Sequence, residues 1–144
     1  MKPRHFIQAI DHNRIVAEIA EAETRTSGRI RVYISHQSTG DVLKTASKTF
    51  ARLKMNRTPL RNAALIYIAP VSHKFAVIGD TAVHAKCGQE FWRDVVTAME
   101  SGLKRGEFTE ALVEGVKKLG SVLAAHFPPS ADGKNDLSDA VVEE

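Results

Sequence analysis

Four stretches of the chain carry apolar residues three or four positions apart, the spacing that gathers side chains on one face of an α-helix. Asp11 precedes the first stretch and Asp41 the second, where an aspartate can cap a helix by accepting hydrogen bonds from free N–H groups. The pattern predicts four main helices. Their inward-facing positions are Ile15, Ile19 and Ala22; Leu43, Ala46, Phe50 and Leu53; Phe91, Trp92, Val95, Met99 and Leu103; and Leu112, Val116, Leu119 and Leu123.

Three shorter segments have the composition of β-strands. Residues 29–34 alternate polar and apolar side chains, several of them β-branched, which predicts a strand with one solvent-exposed face. Residues 63–69 are apolar without alternation, as is typical of a central strand covered on both sides. After Pro70 and a short turn, residues 74–78 predict a third strand that forms an antiparallel hairpin with the second.

The order of these elements predicts the fold. A helix joins the first two strands, and a crossover of this kind requires the two strands to be parallel. The hairpin adds an antiparallel strand, so the sheet is mixed. We therefore expect an α/β fold, a three-layer α/β/α sandwich with a small mixed sheet and about four main helices.

Pro128 and Pro129 end the last predicted helix, and the residues beyond them are polar and acidic. We expect one domain over residues 4–129 and a disordered acidic tail over residues 130–144. The tail holds five acidic residues and one lysine, a net charge of −4, so the rest of the chain carries +7 while the formal total is +3. A basic body attracts anions, although a solvated surface is the simpler interpretation.

Two absences limit the class of protein. Cys87 is the only cysteine, so the chain cannot form an internal disulfide, and nothing indicates an oxidising compartment. The longest apolar run, residues 63–69, is too short to cross a bilayer as a helix, and the first residues lack the apolar stretch of a signal peptide. We expect a cytoplasmic protein without a transmembrane segment, peripheral to a membrane only through a partner.

Five segments, in order, resemble the TPM domain family. Residues 22–32 resemble its opening, where a helix ends in a threonine-serine-glycine turn before the first strand. The other four are the loop 58–62 with the apolar strand after it, residues 75–80, the pair Phe91-Trp92, and His126-Phe127-Pro128. The family includes a thylakoid-lumen photosystem repair protein, a nematode receptor-associated membrane protein and many bacterial proteins of unknown role. The resemblance implies a TPM-like domain, and some members are associated with acid phosphatase activity and divalent-metal binding.

The chain departs from the family pattern at two acidic positions. Many relatives have an aspartate-asparagine-glycine turn before the central strand, whereas this chain has Arg61-Asn62-Ala63. The family's glutamate after the threonine-serine-glycine turn is replaced by Arg29. A metal-binding carboxylate that the resemblance implies is therefore missing. Many relatives also have a signal peptide and a membrane anchor, neither of which is evident in this sequence.

The predicted topology brings polar residues to one end of the sheet, near the end of the first helix. Asp80, Glu23 and His84 are the candidate ligands there for a divalent cation such as calcium or magnesium. Each has a simpler role. Asp80 can cap the following helix, Glu23 can pair with neighbouring arginines, and His84 can be a structural residue.

Basic residues define two further candidate surfaces. Arg57 and Arg61 flank Thr58 beside Asn62, and guanidinium groups in such a loop can hold a phosphate by paired hydrogen bonds. Solvated loop charge is the alternative. The second surface is a basic face on the second helix, formed by Lys44, Lys48 and Arg52 at intervals of four residues.

These features support three functional hypotheses. The first is a binding or accessory domain that binds a divalent cation or an anionic partner. It would act through its basic face, with a protein partner, in a larger, membrane-linked assembly. The second is a weak metal-assisted phosphomonoesterase, in which Asp80 and Glu23 hold the cation and Arg61 binds the phosphate. The third is nucleic-acid binding through the basic face, which is disfavoured because Phe50 lies on the apolar side and leaves no stacking platform. The sequence specifies neither the ligand nor the oligomeric state.

Overall fold

Four helices and four strands form the part of the chain that the computed structural model describes, which is residues 10–72, 74–129 and 141–144. The helices are α1 (His12–Glu23), α2 (Val42–Arg52), α3 (Thr81–Lys104) and α4 (Phe108–His126). The strands are β1 (Arg29–Ile34), β2 (Ala63–Ala69), β3 (Lys74–Gly79) and β4 (Val141–Glu143). Two short 3₁₀ turns, Met55–Arg57 and Pro70–Ser72, lie on either side of β2.

The first two helices begin at the predicted caps. The Asp11 carboxylate accepts a hydrogen bond from the Arg14 N–H at 3.1 Å, and Asp41 does the same for Lys44 at 3.1 Å. Each bond satisfies one of the N–H groups that the first turn of a helix leaves without a partner. These contacts fix where each helix starts.

The sheet has the order β3-β2-β1-β4. β1 and β2 are parallel, with Arg29 opposite Ala63, and β2 and β3 are antiparallel, with Ala64 opposite Gly79. The predicted parallel pair joined by a helix and the predicted hairpin are therefore confirmed. β4 lies parallel to β1 at the far edge.

Apolar side chains cover both faces of the sheet. On one face, residues of α1, α3 and α4 pack on alternate positions of the strands, among them Ile30, Val32 and Ile66. On the other face, α2 packs with Phe50 in a smaller cluster that includes Tyr67. The predicted three-layer α/β/α sandwich with four main helices is confirmed, and the buried layers position the strand ends.

Two details of the helix and strand faces differ from the prediction. β1 is buried at every position, and Arg29 and Arg31 are only 9% and 6% exposed, so it has no solvent-exposed face. Alternation of polar and apolar residues distinguishes the two faces of a strand but does not show that the polar face is exposed to solvent. Leu43 was predicted to face inward and is 58% exposed. Its neighbour Val42, also in the first turn of α2, packs against the cluster that contains Ala46 and Phe50.

The final residues also differ from the prediction. Val141–Glu143 form β4, whereas we expected residues 130–144 to be disordered. Two β-branched valines suit a strand, and the edge of β1 offers backbone groups for them to pair with. Residues 130–140 and the predicted domain start at residue 4 lie outside the described residues.

No helix in the described ranges is long and apolar enough to cross a membrane. α4, for example, is apolar on its inward side and carries exposed residues such as Lys117 and Lys118 on the other.

Candidate functional site

Three strand ends meet at one end of the sheet. Arg29 opens β1 opposite the first residue of β2, and Gly79 closes β3 opposite Ala64. The turn before β1, the loop before β2 and Asp80 after β3 are therefore neighbours. The gathering of these segments at one end of the sheet follows the prediction from topology.

Asp80 is held by two partners. Its Oδ1 accepts a hydrogen bond from the Thr81 N–H at 2.7 Å and so caps α3. The Arg61 guanidinium donates from Nε to Oδ2 at 2.8 Å and from Nη2 to Oδ1 at 3.0 Å. The Asp80 side chain is 4% exposed, whereas that of Arg61 is 48% exposed. Paired donation from a planar guanidinium to a carboxylate is among the stronger hydrogen-bonded arrangements in proteins.

The backbone of Arg61 supports this ion pair. Its φ of 53° lies in the left-handed region, which is uncommon for a residue with a side chain. The Arg61 N–H donates to the Thr58 carbonyl at 3.1 Å, and the Arg61 carbonyl accepts from the Ala82 N–H at 3.1 Å. The loop before β2 is thus fastened to the start of α3 through both backbone and side chain.

Asn62 joins the cluster to the turn before β1. It is buried, and its Nδ2 donates to the Ser27 Oγ at 3.1 Å. The Ser27 N–H donates to the Pro128 carbonyl at 3.0 Å, and the Thr26 Oγ1 donates to the Phe127 carbonyl at 2.5 Å. These bonds satisfy buried polar groups and anchor the turn to the end of α4.

Thr58 and Arg57 complete the predicted anion-binding set of Arg61, Arg57, Asn62 and Thr58. Thr58 is buried, and its Oγ1 has no hydrogen-bond partner among the described residues. Arg57 is exposed and makes no ion pair within the part of the chain that the structure describes. Because Arg61 and Asn62 already bind protein groups, anion binding by this set stays a prediction.

Glu23 is directed towards β1. Its Oε2 accepts a hydrogen bond from the Ile30 N–H at 2.8 Å. Burial raises the pKa of Glu23, while the hydrogen bond from Ile30 and the charges of Arg29 and Arg31 oppose this rise. The Glu23 carboxylate therefore provides a hydrogen-bond acceptor for a backbone N–H near the start of β1, and two positive charges lie near it.

His84 packs against an aromatic ring. The His84 and Trp92 ring centroids are 4.9 Å apart, although a straight helix would separate residues eight positions apart by about 12 Å. The contact arises because Gly88 breaks α3, with φ 65° and ψ −158°, a conformation that is essentially restricted to glycine. The contact with Trp92 supports a structural role for His84, the simpler of the two roles considered for it.

The three predicted cation ligands do not form a ligand set. Residues 10–72, 74–129 and 141–144 contain no group of three or more His, Cys, Asp or Glu side chains that could hold a metal ion. Both Asp80 oxygens accept hydrogen bonds from Arg61, so a cation would have to displace a guanidinium. Calcium and magnesium bind oxygen ligands, and cation binding by Asp80, Glu23 and His84 stays a prediction.

The predicted basic face on α2 divides into two parts. Lys44 and Lys48 are exposed, and neither forms an ion pair with any residue that the structure describes. Arg52 has partners, because its Nη2 lies 2.9 Å from the Glu144 Oε2 and donates to the Tyr33 Oη at 3.1 Å. Two lysines are thus available to a ligand, and the arginine binds the end of the chain.

The sequence did not indicate the contact among Tyr33, Arg52 and Glu144. The Tyr33 Oη donates to the Glu144 Oε2 at 3.2 Å, and the Tyr33 ring stacks on Tyr67 with centroids 5.2 Å apart. Burial raises the pKa of Tyr33, and the nearby Glu144 carboxylate raises it further. Alternation in residues 29–34 places Tyr33 on the same face as the two arginines of β1, but no signal in the acidic tail indicated where Glu144 would lie.

Comparison with known proteins identifies the family. The chain is similar to the BA42 protein of the psychrophilic bacterium Bizionia argentinensis, whose structure was determined by NMR, with a TM-score of 0.85 and 33% sequence identity. The alignment covers 94% of this chain and 95% of BA42. No curated protein matches the chain. The sequence profile of the TPM domain matches residues 1–122, and the chain therefore belongs to the TPM domain family.

Proposed function

We propose that this TPM domain is a noncatalytic binding module that recognises an acidic protein surface through α2 and the turn that follows it. The observation that carries the proposal is a group of exposed basic side chains there, with no ion-pair partner in the described ranges. They are Lys44, Lys48, Lys54 and Arg57. Cationic side chains without local counterions produce a positive potential that attracts and orients an acidic partner.

An exposed leucine favours a protein as the partner. Leu43 is 58% exposed and adjoins Lys44 at the start of α2. Protein interfaces combine apolar contacts with a charged rim, whereas single-stranded nucleic acid requires exposed aromatic rings on which bases stack. The aromatic side chain of α2, Phe50, is only 6% exposed. The basic face therefore suits a folded acidic protein better than a polynucleotide.

The polar cluster at the sheet end argues against a hydrolytic role. The Asp80 carboxylate is bound by Arg61 and Thr81, and Glu23 accepts from a β1 backbone N–H. Carboxyl groups that already accept hydrogen bonds from the protein are less available to hold a cation or to activate water. We further propose that this partner belongs to a membrane-linked assembly, and only the resemblance to the TPM domain family supports that addition.

Binding of a fluorescein-labelled deca-glutamate peptide tests the proposal at an ionic strength of about 0.15 M, where exposed charges more than about 8 Å apart are largely screened from each other. We expect the double substitution Lys44→Glu/Lys48→Glu to weaken binding by at least about tenfold, because it removes two attractive charges and adds two repulsive ones. Lys117→Glu/Lys118→Glu is the matched control, since it makes the same charge change on two exposed lysines of α4. We expect the control to retain binding within about threefold.

Two further probes separate this proposal from its alternatives. A single-stranded oligonucleotide that binds more tightly than the peptide, through the same lysines, would replace the proposal with nucleic-acid binding. Vesicles containing phosphatidylserine test whether an anionic membrane surface is the preferred ligand. If both double variants lose the same affinity for the peptide, the α2 surface is not the binding site and the proposal fails.

A further inference from the structure

The edge of β1 is paired with a very short strand. β4 contains three residues, and its register places Val141 opposite Val32, Val142 opposite Tyr33 and Glu143 opposite Ile34. The Glu144 N–H then donates to the Ile34 carbonyl at 3.1 Å. A strand edge presents backbone donors and acceptors that can pair with any extended segment of suitable side chains.

Side chains of β4 anchor it on both faces of the sheet. Val141 packs against the cluster formed with α1, α3 and α4, and Val142 packs against the cluster beneath α2. Both valines are only partly buried. Alternate side chains of a strand enter opposite faces, so two consecutive β-branched residues give one apolar contact on each side.

A polar anchor follows two residues after the second valine. Glu144 lies on the same side of the strand as Val142, where its Oε2 is 2.9 Å from the Arg52 Nη2 and 3.2 Å from the Tyr33 Oη. Arg52 also lies over the Tyr33 ring, 5.8 Å from its centroid. The Arg52 and Glu144 side chains are 53% and 46% exposed. An ion pair this exposed contributes little to stability, so it selects the position of the segment but does not hold it there permanently.

The β1 edge and the side chains beside it form a groove, and β4 occupies this groove through few contacts. The groove offers one backbone edge, an apolar site on each face and a cationic site formed by Arg52 and Tyr33, and its occupant contributes two partly buried valines and one exposed carboxylate. Peptides recognised by strand addition obtain affinity from the backbone and specificity from alternate side chains in this way.

We propose that the β1 edge is a docking groove for an extended acidic peptide, with two β-branched residues followed two positions later by a carboxylate, and that residues 141–144 of the chain are its resident occupant. A partner segment of this chemistry binds by displacing β4. Charge complementarity supports an acidic ligand, because Arg52 supplies the cation that Glu144 now meets. The groove adjoins the basic surface of the proposed function on α2, but it uses Arg52 and the β1 edge. The double substitution Lys44→Glu/Lys48→Glu leaves both unchanged, so the groove goes beyond the proposed function and is tested with separate variants.

An amide NMR titration of the full chain tests the groove. The probe is a peptide with the sequence of residues 141–144 after a two-glycine spacer, and the double substitution Val142→Asp/Glu144→Lys displaces the resident strand. We expect the displaced variant to show saturable shifts at Val32–Ile34, with an apparent Kd at least about tenfold lower than that of the wild-type chain, where the tethered segment competes. A control peptide with lysine in place of its last glutamate should bind several-fold more weakly.

Other outcomes overturn the proposal. If the displaced variant keeps a folded amide spectrum and shows no peptide-dependent shifts in β1, the edge is not a docking site. Equal binding of both peptides would show that Arg52 does not select a carboxylate. Should the double variant unfold, Glu144→Lys alone changes only a half-exposed side chain and permits the same comparison. A strand-exchanged dimer of the wild-type chain that does not take up the peptide would assign the groove to a second copy.

Discussion

Arg61 binds both carboxylate oxygens of Asp80, with an Nε–Oδ2 distance of 2.8 Å and an Nη2–Oδ1 distance of 3.0 Å. One residue thus links the loop before β2 to the cap of α3. The left-handed backbone of Arg61 and its two backbone hydrogen bonds place the guanidinium for this contact. Asp80 consequently holds the loop before β2 and the start of α3 together at this end of the sheet.

Removal of the Arg61 side chain should destabilise the protein. We expect Arg61→Ala to lower the free energy of unfolding measurably more than Arg57→Ala does, because the buried Asp80 carboxylate loses two charge-assisted hydrogen bonds. Arg61→Gly should lose less, since glycine adopts a positive φ without strain. Urea denaturation followed by circular dichroism measures both values. Arg57→Ala, on an exposed arginine of the same loop, should change stability by less than about 0.5 kcal/mol. Equal losses for Arg61→Ala and Arg57→Ala would contradict the importance of the Asp80 contact.

The raised pKa of Glu23 predicts a pH-dependent effect of its substitution. A carboxyl group whose folded pKa exceeds its ordinary value of 4.5 stabilises the fold most when protonated, and loses that contribution as pH rises through the folded pKa. Glu23→Gln keeps an acceptor for the Ile30 N–H but does not ionise. We therefore expect the stability of Glu23→Gln relative to wild type to increase from pH 4 towards pH 7. Urea unfolding across this range measures the difference, and a constant difference would show that the Glu23 pKa is unshifted.

The hydrogen bonds that Asp80 accepts predict that it does not bind divalent cations. Calcium or magnesium at low-millimolar concentration should produce no saturable amide shifts at Asp80 and Thr81, because Arg61 and the helix cap already use both carboxylate oxygens. An NMR titration measures this directly, with Asp80→Asn as the matched variant. Saturable shifts that disappear in Asp80→Asn would restore the metal-assisted phosphomonoesterase hypothesis and justify assays with phosphomonoesters.

The break in α3 predicts an unusual sensitivity at Gly88. We expect Gly88→Ala to lower stability by about 1–3 kcal/mol, because its backbone conformation is strained for any residue with a Cβ. No heavy atom lies within 4 Å of an added Cβ, so the effect is conformational and not a steric clash. Trp92 is the only tryptophan, and its fluorescence should change as its contact with His84 is lost.

Gly40→Ala is the matched control for this substitution. Gly40 also has open space around an added Cβ, but its φ lies outside the positive region. Its stability should remain within about 0.5 kcal/mol of wild type, and its fluorescence should be unchanged. If the two alanine variants behave alike, the conformation of Gly88 does not hold the two parts of α3 in place.

The sequence by itself determined the four main helices, the first three strands and the order of those strands in the sheet. Periodic apolar positions and cap residues such as Asp11 and Asp41 are local properties, and a helix between two neighbouring strands favours the parallel arrangement. The gathering of Asn62 and Asp80 at one end of the sheet follows from that topology alone. The family resemblance carried by residues 22–32 and four later segments pointed to the same domain.

Only the tertiary structure decided which side chains meet. Arg61 and Asp80 are 19 residues apart, and their pairing depends on a left-handed backbone that no periodic pattern specifies. The His84–Trp92 contact requires the break at Gly88, and the place of Glu144 requires an open strand edge that accepts Val141–Glu143. Hydrophobic periodicity records which face of an element is buried. Polar partners from distant segments are chosen by the geometry of the assembled layers, where unpaired buried groups are costly.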